Sequence, residues 1–395
     1  MRFIHVATPK IKNDAIGIDR IIARQTGHCL CSLIGGLRQV DFGLHTLTDV
    51  IMRIRAYKET SLDPFGAKSF TDSGGYSIIV GDVWPSAIRR FIKCYNVYLE
   101  DERDDYSYIF SLDIPFSLKF PSLNKAHVLY ELNREALMDA LAILEKYPEL
   151  KDKYYFVWHF KMLSQYALWC RLYDELNLGS VIRNRAIGGM VGMRAVTKKH
   201  FSPFTGIAYR CLLDYLDQGD FGHPFRLHFL GMYIPYDRFQ IALLEAMFRS
   251  YLSGMAEVEL SYDSINYAHT ARMNARKEVH NLEDGHFVSY PAITDVPEFL
   301  LHSVYGTAGH LDPVLEEIER RRNDTRLENA DTFAPLSIHS NLCLDRLFEM
   351  VIAQYDLVDI IATSQTHTVL DGRTRSVLRA LKARHPNVFT DYMCR

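Results

Sequence analysis

AHVLYELNREALMDALAILEKYPELKDKYYFVWHF, residues 126–160, decides the fold. Up to Tyr147 its apolar residues recur at helical spacing, the pattern of a helix with one buried face. The run YYFVWHF (154–160) is almost continuously apolar and too short for a helix, the pattern of a strand covered on both faces. Working outward, the same kind of run recurs at HCLCSLI (28–34), SFTDSGGYSII (69–79), YSYIFSLDI (106–114), RAIGGMVG (185–192), FRLHFLGM (225–232), EVELSYDS (257–264) and LVDIIAT (357–363). Amphipathic segments such as YDRFQIALLEAMFRSYL (236–252) lie between them. Eight such units in 395 residues predict an α/β fold, a (β/α)8 TIM barrel rather than an open doubly wound sheet. No G-x-G-x-x-G follows an early strand, which removes the main signature of dinucleotide binding. From 296 onward the chain reads as mostly helical. The expected organisation is therefore a barrel over 1–295 and a helical C-terminal part over 296–395, packed on the barrel or completing it.

Composition fits one large core or two. Lys and Arg number 45, Asp and Glu 48, for a net charge of −3, with 48% apolar and 24% charged residues. That is ordinary globular usage and excludes a disordered, collagen-like or polybasic coat protein. It leaves room for a local basic face that binds nucleic acid. The seven cysteines (Cys29, Cys31, Cys94, Cys170, Cys211, Cys343, Cys394) form no Cys-x-x-Cys pair, so a reducing cytoplasm is expected rather than a disulfide framework. The N-terminal MRFIHVATPKIKND lacks the apolar core of a signal peptide, and no run of about 18 apolar residues offers a membrane span.

The chemistry gathers at the C-terminal ends of the strand candidates. Asp72-Ser73-Gly74-Gly75, Asp113, His159, Gly188-Gly189, Gly231 and Asp263 all fall there. Barrel enzymes assemble their sites from that face, although Asp and Gly also end strands because they suit turns. Two glycines after Asp72 let a backbone approach a ligand closely, and Tyr76 can stack on a planar base. Asp263 reads either as a helix N-cap for the segment that follows or as a nucleophile opposed by Asp72. Two carboxylates flanking a glycosidic carbon are the usual solution for substitution through an oxocarbenium-like state.

These motifs, taken in order, resemble the tRNA-guanine transglycosylase superfamily. TDSGGYS (71–77) is similar to its DSGGFQ or DSGGYQ motif, RAIGGMVG (185–192) to its AxGGLAVG strand, and LHFLGM (227–232) to its YLMGVG strand. SYDSINYAHTARM (261–273) resembles the segment that holds its nucleophilic aspartate, and PLSIHSNLCLDRLFEMV (335–351) its LxxHNLxFYxxLM helix. The resemblance implies a barrel enzyme that exchanges guanine in a nucleic acid for a 7-deazaguanine. It makes Asp263 the nucleophile and Asp72 the general acid/base. Asp113 matches the aspartate that reads the base's amino edge. Gly188, Gly189 and Met190 match the strand end whose backbone meets the base. Ser73, Gly74, Gly75 and Tyr76 match the loop that holds the base's face.

The departures are specific. The family's zinc motif is Cys-x-Cys-x-x-Cys with a distant His. Here His339 matches the His, but no cysteine lies between Cys211 and Cys343. His280, His286, His302 and His310 follow no standard zinc spacing, so no metal or other cofactor is expected. Val157-Trp158-His159 replaces a Val-Gln-Gly turn, so His159 stands where a base-reading glutamine is missing, either in its place or as a strand-end histidine with a structural hydrogen bond. Ile265-Asn266-Tyr267-Ala268 replaces a Leu-Pro-Thr-Arg segment. Such divergence resembles the DNA-modifying, DpdA-type branch of the family, phage or bacterial, which implies a DNA substrate and a free base of the preQ0 type. Arg272, Arg276, Lys277, Lys198, Lys199, Arg373 and Arg375 are then candidates for phosphate contacts, each also readable as surface charge. A homodimer is compatible with this reading. The alternatives are a tRNA-guanine transglycosylase without the usual zinc cysteines and a noncatalytic nucleic-acid-binding barrel subunit. A glycoside hydrolase is disfavoured by a content of 3 Trp.

Overall fold

The computed structural model describes residues 1–7, 18–32, 68–74, 87–116, 125–189, 204–232, 235–264, 278–306, 308–323 and 330–353, with isolated positions at 52, 56, 59 and 383. Eight parallel strands close into a barrel in chain order. They are β1 (Arg2–Ala7), β2 (His28–Ser32), β3 (Lys68–Asp72), β4 (Tyr108–Phe110), β5 (Tyr154–His159), β6 (Asn184–Gly188), β7 (Phe225–Phe229) and β8 (Val258–Ser264). The described helices between them are α1 (Ile18–Thr26), α2 (Ile88–Asp101), α3 (Ala126–Lys146), α4 (Leu163–Glu175), the short α5 (Leu178–Val181), α6 (Phe204–Gln218) and α7 (Pro235–Tyr251). A two-stranded antiparallel hairpin, β9 (Val279–Glu283) and β10 (His286–Tyr290), follows. Then come α8 (Glu298–Tyr305), α9 (Ala308–Asn323) and α10 (Ala334–Ile352). The expected TIM barrel is present, and among the described residues no helix is long and apolar enough to cross a membrane.

One strand differs from the sequence reading. The barrel begins with RFIHVA at the N-terminus, where β1 pairs with β2 on one side and β8 on the other. Closure is complete without LVDIIAT (357–363), which lies outside the described residues.

The barrel's stagger can be read from its pairing. Carried one way round from Lys68, through His28 and Ile4, the register arrives on β8 at Asp263. Carried the other way, through β4, β5, β6 and β7, it arrives at Met255, eight residues lower. A shear of eight over eight strands is the TIM-barrel value and tilts each layer by about one residue per strand.

Strand alternation then sorts the side chains. Ile4, Leu30, Phe70, Phe110, Tyr155, Val157 and Ala186 fill the barrel. Their neighbours Phe3, Cys29, Cys31, Ile109, Phe156, Trp158 and Leu260 face the helices in the larger core. The N-terminal end of the barrel is closed by charge and aromatic surface. Glu259 accepts from Arg2 at 3.2 Å and from Arg226 at 3.1 Å, and the Arg226 guanidinium lies 5.4 Å from the centre of the Tyr108 ring. These half-buried charges are tolerable because each meets an opposite one.

The helical C-terminal segment is fastened to this barrel rather than merely following it. Ile338, Leu344, Phe348 and Ile352 of α10 belong to the main core. Arg238 of α7, fully buried, donates from Nε to Asp345 Oδ1 at 2.9 Å and from its terminal nitrogens to the side chain and carbonyl of Asn341 at 2.5 and 2.6 Å. The Tyr262 hydroxyl on β8 donates to the other Asp345 oxygen. Burial pushes the Asp345 carboxyl up from its ordinary value, while Arg238 and Tyr262 pull it back.

Candidate active site

The C-terminal mouth of the barrel collects the polar residues singled out above. Asp72 ends β3 and Asp263 lies near the end of β8. Asp72 alternates with Phe70, and Asp263 with Ser261, so both carboxylates belong to the inward-facing set. With the layer climbing one residue per strand, the level of Asp263 meets β3, three strands away, at about Thr71, roughly one residue (~3.3 Å) below Asp72. The two carboxylates therefore face one another across the mouth at nearly one height.

Asp263 is held by its neighbours on β7. It is 6% exposed, and its Oδ1 accepts the Gly231 amide at 2.6 Å. Gly231 has φ +75°, a left-handed turn straight after β7 that aims its N–H at β8. The Met232 amide donates to the Asp263 carbonyl at 2.8 Å, which fixes the backbone as well. Below the carboxylate sits His228, fully buried, with Nε2 3.5 Å from Asp263 Oδ1 and Nδ1 2.9 Å from Ser261 Oγ. At 3.5 Å the first contact is an electrostatic one rather than a hydrogen bond. Among the described residues nothing hydrogen-bonds Oδ2, so one oxygen of the carboxylate stays available.

A second group spans the ends of three strands. Ser73 Oγ donates to Asp113 Oδ1 at 3.0 Å, and His159 Nδ1 meets Asp113 Oδ2. Trp169 Nε1 donates to the His159 carbonyl at 2.5 Å. The Tyr95 hydroxyl is pushed well above its ordinary value by burial first, then by the charges of Tyr154, Asp72, Tyr98 and Asp113. Asp72 and Asp113 thus share one electrostatic neighbourhood. Gly188 lies beside His159: a Cβ there would stand 3.5 Å from the imidazole Cγ. Gly189 has φ +81°, and a Cβ on it would stand 2.3 Å from the Phe160 carbonyl oxygen. That distance is too short for any side chain, so Gly189→Ala is expected to cost about 1–3 kcal/mol in backbone strain alone. A denaturation midpoint equal to that of the unmodified chain would show that the turn relaxes freely.

Asp72, Ser73, Gly74, Asp113, His159, Gly188, Gly189 and Asp263 are therefore placed at one end of one barrel. Gly75, Tyr76, Met190, Lys198, Lys199, Arg272, Arg276, Lys277, Arg373 and Arg375 lie outside the described residues. Sequence reasoning missed His228 and Ser261. Their signal was a polar residue on the inward parity of an otherwise apolar strand, legible only once the register is known.

The hairpin and α10 meet where the resemblance would place zinc. His339 Nε2 lies 3.0 Å from Asn281 Oδ1 and 3.4 Å from Cys343 Sγ. That is one imidazole and one thiol, where a structural zinc needs four donors, and burial holds the Cys343 thiol up in its protonated form. Among the described residues no group of three or more His, Cys, Asp and Glu is arranged to hold a metal. Among the described residues the donors at this place are too few for a structural zinc.

Burial lowers both His280 and His339 from their ordinary value, with Glu278 opposing it at His280. The folded chain keeps these rings neutral while the unfolded chain protonates them below about pH 6.5. Their contribution is thus complete above that pH and is lost as pH falls toward the folded values. The melting temperature should drop between about pH 7.5 and about pH 5.5, less so in His339→Gln. An identical drop in that variant would remove His339 from the account.

No profile of a known protein family matches the chain, and no curated protein sequence matches it.

Proposed function

We propose that the protein is a nucleic-acid guanine transglycosylase, exchanging guanine in DNA for a 7-deazaguanine base of the preQ0 type. The observation that carries this reading is the pair of inward-facing carboxylates at the barrel mouth, Asp263 with one oxygen held by an amide and the other open, and Asp72 across from it. The motif order that resembles the transglycosylase superfamily supports the same assignment. The target nucleotide flips into the mouth at a cost of a few kcal/mol. Asp263 attacks C1′, the C1′–N9 bond breaks, and guanine leaves as Asp72 delivers a proton to it. The incoming base gives its N9 proton to Asp72 and takes C1′ back from Asp263. Two inversions return the original anomeric configuration. One glycosidic bond is broken and one made, so the exchange needs no external energy source.

DNA is preferred over tRNA because the sequence departs from the family at the zinc cysteines and after Asp263. The test offers the protein guanine-labelled DNA and guanine-labelled tRNA, each with unlabelled 7-deazaguanine bases. Release from DNA that depends on Asp263 is the expected result. Release from tRNA alone overturns the DNA assignment, and release from neither overturns the transglycosylase reading.

A further inference from the structure

We infer that His159, oriented by Asp113, is the residue that reads the purine, accepting a hydrogen bond from an N–H edge of the base through Nε2. The inference rests on the transglycosylase reading and reassigns its base contact. Asp113 is the residue that the family resemblance would aim at the base. Here both of its oxygens are engaged, Oδ1 by Ser73 and Oδ2 by His159, and the residue is 5% exposed. It is placed to hold the imidazole rather than a ligand.

The tautomer follows from elementary chemistry. A carboxylate only accepts, so the His159 nitrogen facing it carries the proton. The neutral ring then has its lone pair on Nε2. That atom is buried and has no hydrogen-bond partner among the described residues, although His159 as a whole is 7% exposed. Alternation with Tyr155 and Val157, both inside the barrel, points the ring to the interior. It lies beside Gly188, where a Cβ would stand 3.5 Å from the ring carbon and 3.3 Å from Leu230 Cδ1, so only glycine leaves that flank of the ring uncrowded. A buried acceptor without a donor is costly, and a planar base with an N–H at its edge satisfies it. Asp113 and Ser73 act through the ring as positioning residues.

Nitrogen-15 NMR of selectively labelled protein reads the tautomer directly. The expected result is a protonated Nδ1 and a bare Nε2 for His159 at neutral pH. In Asp113→Asn the amide can donate to Nδ1, and the population should shift toward the Nε2–H form. Protonated Nε2 in the unmodified protein would overturn the proposal.

Exchange kinetics with free 7-deazaguanine give the second arm. His159→Ala should raise the KM for the free base about tenfold or more with kcat within about threefold. His159→Gln, which keeps a carbonyl acceptor, should recover most of that loss. Exchange by the unmodified protein with an unchanged KM in His159→Ala would overturn this inference alone. Absence of any exchange by the unmodified protein would overturn the transglycosylase reading and the inference with it.

Discussion

Asp263→Asn should lose base exchange by about 10⁴-fold or more, with the fold intact. The substitution preserves size and leaves an oxygen for the Gly231 amide, which is 2.6 Å from Oδ1 in the unmodified chain. On the proposed mechanism, what disappears is the anion that forms the bond to C1′. Its alternatives as nucleophile are poor: Asp113 is engaged on both oxygens, and Ser73 donates its proton to Asp113 rather than to a base. The measurement is label release from guanine-labelled DNA together with trapping of a covalent DNA–protein adduct. Exchange within tenfold of the unmodified enzyme, or an adduct on the Asn variant, would assign the nucleophile elsewhere. Retained thermal stability separates a chemical defect from a folding one.

Asp345→Ala should destabilise the protein by about 3–5 kcal/mol. Removing the carboxylate leaves the Arg238 guanidinium, fully buried, without the anion that balances its charge. It also removes the carboxylate oxygen to which the Tyr262 hydroxyl donates. Three elements loosen together, α7, α10 and β8, and β8 carries Asp263. A fall in melting temperature of about 4–6 °C is expected for a chain of 395 residues. The double substitution Arg238→Met with Asp345→Leu should recover much of it, because an apolar pair of similar volume escapes the desolvation cost. A single-variant loss below about 1 kcal/mol would mean that the pair is no better than a surface ion pair.

The parts of this structure legible in the sequence are those fixed by local periodicity. YYFVWHF and the helix before it declare themselves because burial on both faces demands a continuous apolar run. β1 was overlooked because Arg2 and His5 break RFIHVA into two short apolar pairs, although strands flank it on both sides. The hairpin carried a readable turn, Asp284-Gly285, whose φ values of 49° and 80° are those of a tight type I′ connection. In the site, Asp72 and Asp263 were legible as polar ends of apolar strands. The chain from Ser73 to Asp113 to His159 was not. It joins three strands 40 and 46 residues apart in sequence, and only the stagger of the barrel brings them level. His228 was hidden for the same reason: its inward parity depends on register, which composition does not encode.

Side chains such as Phe70, Phe110 and Tyr155 pack the barrel interior, and Arg2, Glu259, Arg226 and Tyr108 brace its lower end. On the proposed reading, the departing base and its replacement therefore share the C-terminal end of the strands as their way in and out.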